Sequence, residues 1–224
     1  MKNFQAYFYT TLVAASSLSA SSEQRDWENW KDGDVSEIIH EYWLHSDSEL
    51  NHRKILAQLV DEIYFPGQRF LEAGCGSGLV YRELIPKVMS NACYTGIDIT
   101  SKMLAIAHRD YPEGTFLKDD LYQLSFEDKS FEIVAAFEVL GHIRDIKVPI
   151  EEMVRVASRK VIFTVWTSDS TLITEERFRN SKFIHTAFSH EDIMGIINEV
   201  TDGIVESYSI NANIRAYIIT IPLK

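Results

Sequence analysis

Residues 70–80 read FLEAGCGSGLV: an apolar run, an acid at Glu72, then glycines at Gly74, Gly76 and Gly78. Every second residue of that turn lacks a side chain. Glycine adopts positive φ without penalty and, having no Cβ, lets backbone lie close to a ligand. A turn of this kind at a strand's carboxyl end, leading into a helix, is where open α/β sheets bind nucleotides. The same residues also suit a plain tight turn between strand and helix, so the surroundings decide.

Downstream, short apolar runs recur at RFLEA (69–73), CYTGIDI (93–99), GTFLK (114–118), FEIVAAFEV (131–139) and KVIFTVW (160–166). Between them the spacing predicts helices at LVYRELIPKVM (79–89), SKMLAIAHRD (101–110) and IKVPIEEMVRVA (146–157). This cadence is that of a parallel sheet with helices on both faces. The end breaks the rhythm. SHEDIMGIINEV (189–200) is a helix capped by Ser189 and Asp192, and GIVESYSI and IRAYIITI flank Asn211-Ala212-Asn213 as a hairpin. Upstream, Asp34 with Glu37 and Ser46 with Glu49 mark two helix starts, and Pro66-Gly67 ends the second helix in a turn.

Composition narrows the function. A chain of 224 residues with net charge -11 has no basic run suited to a phosphate backbone, so nucleic acid is excluded as the main partner. No apolar stretch is long enough to span a bilayer. The two cysteines, Cys75 and Cys93, form no metal-ligand spacing and no disulfide framework, and no metal is expected. The first twenty residues loosely mimic a secretion leader, but Gln5, Tyr7, Tyr9, Thr10 and Thr11 interrupt its apolar segment, so a cytoplasmic location is expected.

Glycine spacing separates the nucleotide classes. A dinucleotide fingerprint needs its third glycine at position 79, which is Leu79. The pattern here is E-x-G-x-G-x-G, which resembles the first motif of the class I S-adenosylmethionine-dependent methyltransferases, in particular the small-molecule "type 11"-like domain. YTGIDIT places Asp98 at the end of the next strand, where a carboxylate accepts from both ribose hydroxyls; a helix-capping role for Asp98, with Thr100 and Ser101 as competitors, stays open. FLKDDLYQLSFEDKSFEIV resembles the segment that reads the adenine amino group, in a register that selects Asp120, with Asp119 as runner-up and Leu121 offering its N–H. FEVLGHI resembles the segment at the methyl end of the pocket. The family's usual Asp is Glu132 here. Its usual Pro-Gly-Gly turn is Ala157-Ser158-Arg159, a departure expected to fall at the sheet's edge.

The resemblance runs from about residue 70 to the C-terminus and implies a Rossmann-like, doubly wound α/β fold. It also implies a mostly parallel seven-stranded sheet with a C-terminal antiparallel hairpin and an N-terminal helical cap. Residues 1–45 are assigned to a helical lid and 46–224 to the cofactor-binding domain. Cofactor contacts are implied for Glu72, Gly74, Cys75, Gly76, Gly78, Asp98, Ile99, Asp120, Leu121 and Phe137. The cofactor would be S-adenosyl-L-methionine and its product S-adenosyl-L-homocysteine.

His142 and Glu138 are the candidate bases, His142 having the better-matched ordinary pKa, although a packed structural imidazole explains it equally well. His185 and His190 rank below them. Trp27, Trp30, Tyr42 and Trp43 are lid candidates that stack a planar or apolar acceptor; plugging the N-terminal helix onto the sheet is their bland alternative. The Asn-Pro-Pro-aromatic motif of amide methylation and the Pro-Cys nucleophile of cytosine methylation are both absent. A metal-assisted site would use Glu138 and Asp169, but the neighbouring Asn is missing. Expected, then, is methyl transfer to an O or N atom of a small molecule. The rivals are a methyltransferase-like binding or regulatory protein without turnover, and a nicotinamide-dependent oxidoreductase. Oligomeric state is not legible in the sequence.

Overall fold

The computed structural model describes residues 9–12, 33–178 and 181–222. Two helices, α1 (Gly33–His45) and α2 (Asp47–Asp61), precede the sheet. The alternating part then runs β2 (Phe70–Ala73), α3 (Leu79–Leu84), β3 (Tyr94–Asp98), α4 (Ser101–Asp110), β4 (Phe116–Lys118), β5 (Phe131–Ala136), α5 (Lys147–Val156) and β6 (Ala157–Thr167). A hairpin β7 (Leu172–Phe178) and β8 (Ser181–Phe188) follows, then α6 (His190–Val200), β9 (Ile204–Ser209) and β10 (Ile214–Thr220). A short strand β1 (Tyr9–Leu12) pairs antiparallel with β7.

Seven strands form the expected sheet in the order β4-β3-β2-β5-β6-β10-β9. The first four pairings are parallel, and β6–β10 and β10–β9 are antiparallel. Within each strand successive side chains point to opposite faces. Leu71, Val134 and Phe163 pack into one core under α5 and α6; Phe70, Ile133 and Ile162 pack into another under α2, α3 and α4. That alternation of apolar residues on both faces is why these strands read as continuous apolar runs.

The sheet extends beyond the seven strands. At its carboxyl end β6 also pairs in parallel with β8, Trp166 opposite Ala187 and Thr167 opposite Phe188, and β7 and β1 continue outward. The sequence reading missed the β7–β8 hairpin because Glu175, Glu176 and Arg177 break its apolar pattern. It also extended α3 through residue 89. The helix ends at Leu84, since Pro86 has no N–H to continue it. Ala157-Ser158-Arg159 does not fall at the edge: α5 passes directly into β6, which is flanked by β5 and β10.

Two of the three expected caps form, whereas Asp34 lies inside α1 rather than ahead of it. Ser46 Oγ accepts from Glu49 N, and Ser189 Oγ from Asp192 N. Among the described residues no helix is long and apolar enough to cross a membrane.

Candidate active site

The carboxyl ends of β2, β3, β5 and β6 open into one cavity of about 460 Å³. A parallel sheet places its loops there, and α1 and α2 lie over it, contributing Ile39, Tyr42, Trp43, Glu49, Arg53 and Leu56 to the wall.

The floor is the glycine loop. Gly74, Gly76 and Gly78 all have positive φ, at 77°, 52° and 81°. At Gly74 a β-carbon would lie 2.2 Å from Val139 Cγ2, so glycine is required for close packing as well as for φ. At Gly76 a β-carbon would meet nothing within 4 Å; it would project into open space in the cavity lining. Gly78 corrects one expectation: it does not line the cavity, but sits at the start of α3 with Tyr111 packed against it. The other expected cofactor residues do line it, namely Glu72, Cys75, Asp98, Ile99, Asp120, Leu121 and Phe137.

Four of the loop's amides are already committed. Gly74 N and Cys75 N both donate to Ile97 O at 2.7 and 2.8 Å, Gly76 N donates to Asp98 Oδ2 at 2.9 Å, and Gly78 N to Cys75 O at 3.0 Å. A pyrophosphate would need such donors free. Charge argues the same way. Among the described lining residues, five acids other than the buried Glu72 (Glu49, Asp98, Asp119, Asp120, Glu138) stand against one guanidinium, Arg53. The site therefore favours a cationic ligand over an anionic one.

Two of these acids are poised by burial. Glu72 accepts from Tyr94 Oη at 2.6 Å; burial pushes its carboxyl up to about 8, against that hydrogen bond and the attraction of Arg53. Asp98 is also raised by burial, opposed by the backbone N–H groups of Thr100 and Gly76. Its Oδ1 accepts from Thr100 N at 2.7 Å, so Asp98 holds the β3–α4 turn as well as facing the cavity. Asp119 and Asp120 both line the cavity. Asp119 accepts from Asp120 N, Ser125 N and Ser125 Oγ, which ties it to its own loop. Asp120 accepts from Tyr122 N at 3.0 Å through one oxygen.

At the other end of the cavity, Glu138 follows β5 in a left-handed conformation, φ 57°. Arg53 NH1 lies 2.8 Å and His52 Nε2 3.2 Å from its two oxygens. Burial would raise this carboxyl, but His52 and Arg53 outweigh it and hold Glu138 at about 2. Arg53 also pairs with Glu49 and lies over the Trp43 ring, 5.5 Å from its centroid. His142 donates through Nδ1 to Ile184 O at 3.1 Å, and burial, reinforced by His185, brings its imidazole down to about 3. It is neutral through the physiological range. His142 meets Trp166 and His185 edge-to-face and Trp166 and His185 are tilted on each other, all with ring centroids 4.9–5.0 Å apart, and Phe183 also lines the cavity.

Tyr42 and Trp43 line the cavity, whereas Trp27 and Trp30 lie outside the described residues. His190 is elsewhere, bonded to Tyr217 Oη at 2.8 Å. Sequence reasoning missed Arg53, His52, Trp166 and Phe183. Glu49 and Arg53 had a legible i, i+4 spacing, but that signal alone describes a surface pair. Trp166 stood at the end of a recognised strand, where α/β sites are built.

A family model described as a methyltransferase domain matches residues 71–165. The chain is 27% identical over 157 residues to a probable cobalt-precorrin-6B C(15)-methyltransferase (decarboxylating) of Thermoplasma acidophilum, covering 66% of this chain and 77% of that one. It is 31% identical over 108 residues to a demethylmenaquinone methyltransferase of Thermotoga maritima, covering 48% of this chain and 46% of the relative. Against that second relative the chain spans about half the length. Among solved structures, magnesium protoporphyrin IX methyltransferase of Synechocystis with bound SAH superposes with a TM-score of 0.64 at 18% identity, over 88% of this chain and 98% of that one. That likeness is one of fold.

Proposed function

Because the chain carries a class I S-adenosylmethionine-dependent methyltransferase domain, we propose that it moves a methyl group from S-adenosylmethionine to an O or N atom of a small-molecule acceptor. The carrying observation is the glycine loop, which spends the amides of Gly74, Cys75 and Gly76 on Ile97 and Asp98 of β3 and is ringed by acids while staying open at Gly76. Such a cradle suits a cationic adenosyl amino acid and does not suit a pyrophosphate. In this reading Asp98 accepts from the ribose hydroxyls and Asp120 from the adenine amino group. Leu121 presents its backbone to the ring, and Glu72, Gly74, Cys75 and Gly76 line the amino-acid tail.

When bound, the sulfonium supplies an electrophilic methyl group. The protein's part is to hold the acceptor in line, exclude water and remove a proton where the nucleophile carries one. Trp166, His142, His185 and Phe183 on one wall and Tyr42 and Trp43 on α1 form an apolar chamber for the acceptor. Of the two candidate bases, His142 is neutral, and its hydrogen bond to Ile184 O uses Nδ1 as donor, which leaves the lone pair on Nε2. With its imidazole at about 3, it is a weak base, so alignment carries most of the rate. Glu138 is held as a carboxylate by Arg53 and His52, and its role in this reading is to position those side chains beside the acceptor. The net charge of -11 supports a small-molecule acceptor rather than a nucleic acid. A cytoplasmic location follows from dependence on a cellular metabolite.

The experiment is calorimetric titration of wild type and Asp98→Ala with S-adenosylmethionine, S-adenosylhomocysteine and NAD. Micromolar binding of both adenosyl compounds, weakened at least tenfold in the variant, is the expected result. Tight NAD binding without response to either adenosyl compound would sink the assignment.

A further inference from the structure

Glu49, Arg53 and Leu56 fall at i, i+4 and i+7 on α2 and share the side of the helix that lines the cavity. Arg53 is the only lysine or arginine among the described lining residues. A guanidinium is always protonated in a protein and offers five N–H donors. The Arg53 side chain is 8% exposed, and both of its ion pairs use Nη1, with Glu49 Oε2 at 2.9 Å and Glu138 Oε2 at 2.8 Å. One face of the group lies toward Trp43, 5.5 Å from the ring centroid. Among the described residues, nothing accepts a hydrogen bond from Nε or Nη2.

That unused edge is not sealed. Among the described residues, the fully buried side-chain polar atoms without a hydrogen-bond partner are His40 Nε2 and His52 Nε2, and no atom of Arg53 joins them. Nε and Nη2 therefore keep accessible surface, and the open space beside Arg53 is the cavity it lines. Two parallel donors on one planar edge match a carboxylate in bidentate geometry. Glu49 from α2 and Glu138 from the end of β5 grip Nη1, so the edge is held in place before a ligand arrives.

Position selects the ligand. The charge of Arg53 reaches Glu72, which lies in β2 two residues ahead of Gly74 and the glycine loop. We propose that Arg53 binds the carboxylate at the amino-acid end of the adenosyl cofactor through Nε and Nη2. The proposal rests on the cofactor assigned above. The same end of that molecule carries an ammonium, so the added carboxylate brings no net charge into a cavity already rich in acids. Arg53 supplies the anion contact in a site otherwise suited to cations.

The test compares two probes by calorimetry: S-adenosylhomocysteine, and its descarboxy analogue, the adenosine 5′-aminopropyl thioether, which keeps the nucleoside and the ammonium. Wild type, Arg53→Gln and Arg53→Lys are titrated with each. Wild type is expected to bind S-adenosylhomocysteine about tenfold tighter than the analogue. Arg53→Gln should weaken S-adenosylhomocysteine about tenfold. It should leave the analogue within about twofold or tighten it, since removing a cation from an acidic cavity favours an ammonium. Losing the Glu49 and Glu138 pairings acts on both probes alike and cancels in their ratio. Arg53→Lys keeps a charge for those acids without the two-donor edge, so it should recover only part of the wild-type ratio. Equal affinity of wild type for both probes, or a ratio unchanged from wild type in either variant, would overturn the proposal and leave the cofactor assignment standing. If Arg53→Gln does not fold, Arg53→Lys makes the same two-probe comparison. Wild type that binds neither probe would overturn both readings at once.

Discussion

Glu72 and Glu138 are buried acids of the same cavity with opposite responses to pH. Glu72 rises from its ordinary 4.5 to about 8, so the folded protein holds a proton that the unfolded chain releases, and stability declines as pH rises through that window. Glu138 falls to about 2, so its contribution is complete above 4.5 and is lost as pH drops from 4.5 toward 2. Thermal denaturation of the unliganded variants across pH 3 to 9 therefore separates them. Glu72→Gln should gain several degrees over wild type at pH 9 and nothing near pH 4. Glu138→Gln should lose about 2–3 kcal/mol at pH 7, because Arg53 and His52 are left under-paired, and the gap to wild type should narrow as pH falls from 4.5 toward 3. Parallel profiles for the two variants would contradict these assignments. The sequence marked both residues, since Glu72 lies near the end of one recognisable strand and Glu138 follows another. It could not assign their charge states, which depend on burial for one and on Arg53 and His52 for the other.

The glycine loop is one element whose glycines do different things. Gly74 is pinned by Val139, Gly76 faces open space, and Gly78 makes room for Tyr111. Alanine at Gly74 must displace the valine and adopt positive φ, and should cost the unliganded protein about 2–4 kcal/mol. Alanine at Gly76 meets only the positive-φ penalty of about 1 kcal/mol, but adds a methyl to the cavity. Denaturant melts paired with S-adenosylhomocysteine titration check this: Gly76→Ala keeps most of its stability and loses affinity, whereas Gly74→Ala loses stability first. A stable, tightly binding Gly76→Ala would show that the cavity is not approached at that residue. The spacing of the three glycines was legible because it lies within one turn. Their division of labour was not, since Val139 and Tyr111 arrive from other parts of the chain.

At the scale of the whole molecule, the cavity is closed by elements from both ends of the chain. α1 and α2 come from before the sheet, and β8, carrying Phe183 and His185, comes from the hairpin inserted after β6. α1 is tied to the core through His40 with Ser77 and Asp110, and through Glu37 with Arg109. Hydrogen exchange with and without S-adenosylhomocysteine should show slower exchange in α1 and the glycine loop, while α5 and α6, packed on the opposite face, stay unchanged. Protection confined to the glycine loop would mean that α1 does not respond to the site. By itself the sequence determined the parallel sheet, the closing hairpin and the glycine loop, because each is encoded by neighbouring residues within one strand or turn. Only the tertiary structure decided that Arg53 and His52 meet Glu138, that His40 reaches Ser77, and that Trp166, His142 and His185 form one wall. Those contacts join residues distant along the chain, and their energies come from burial and packing that no local pattern specifies.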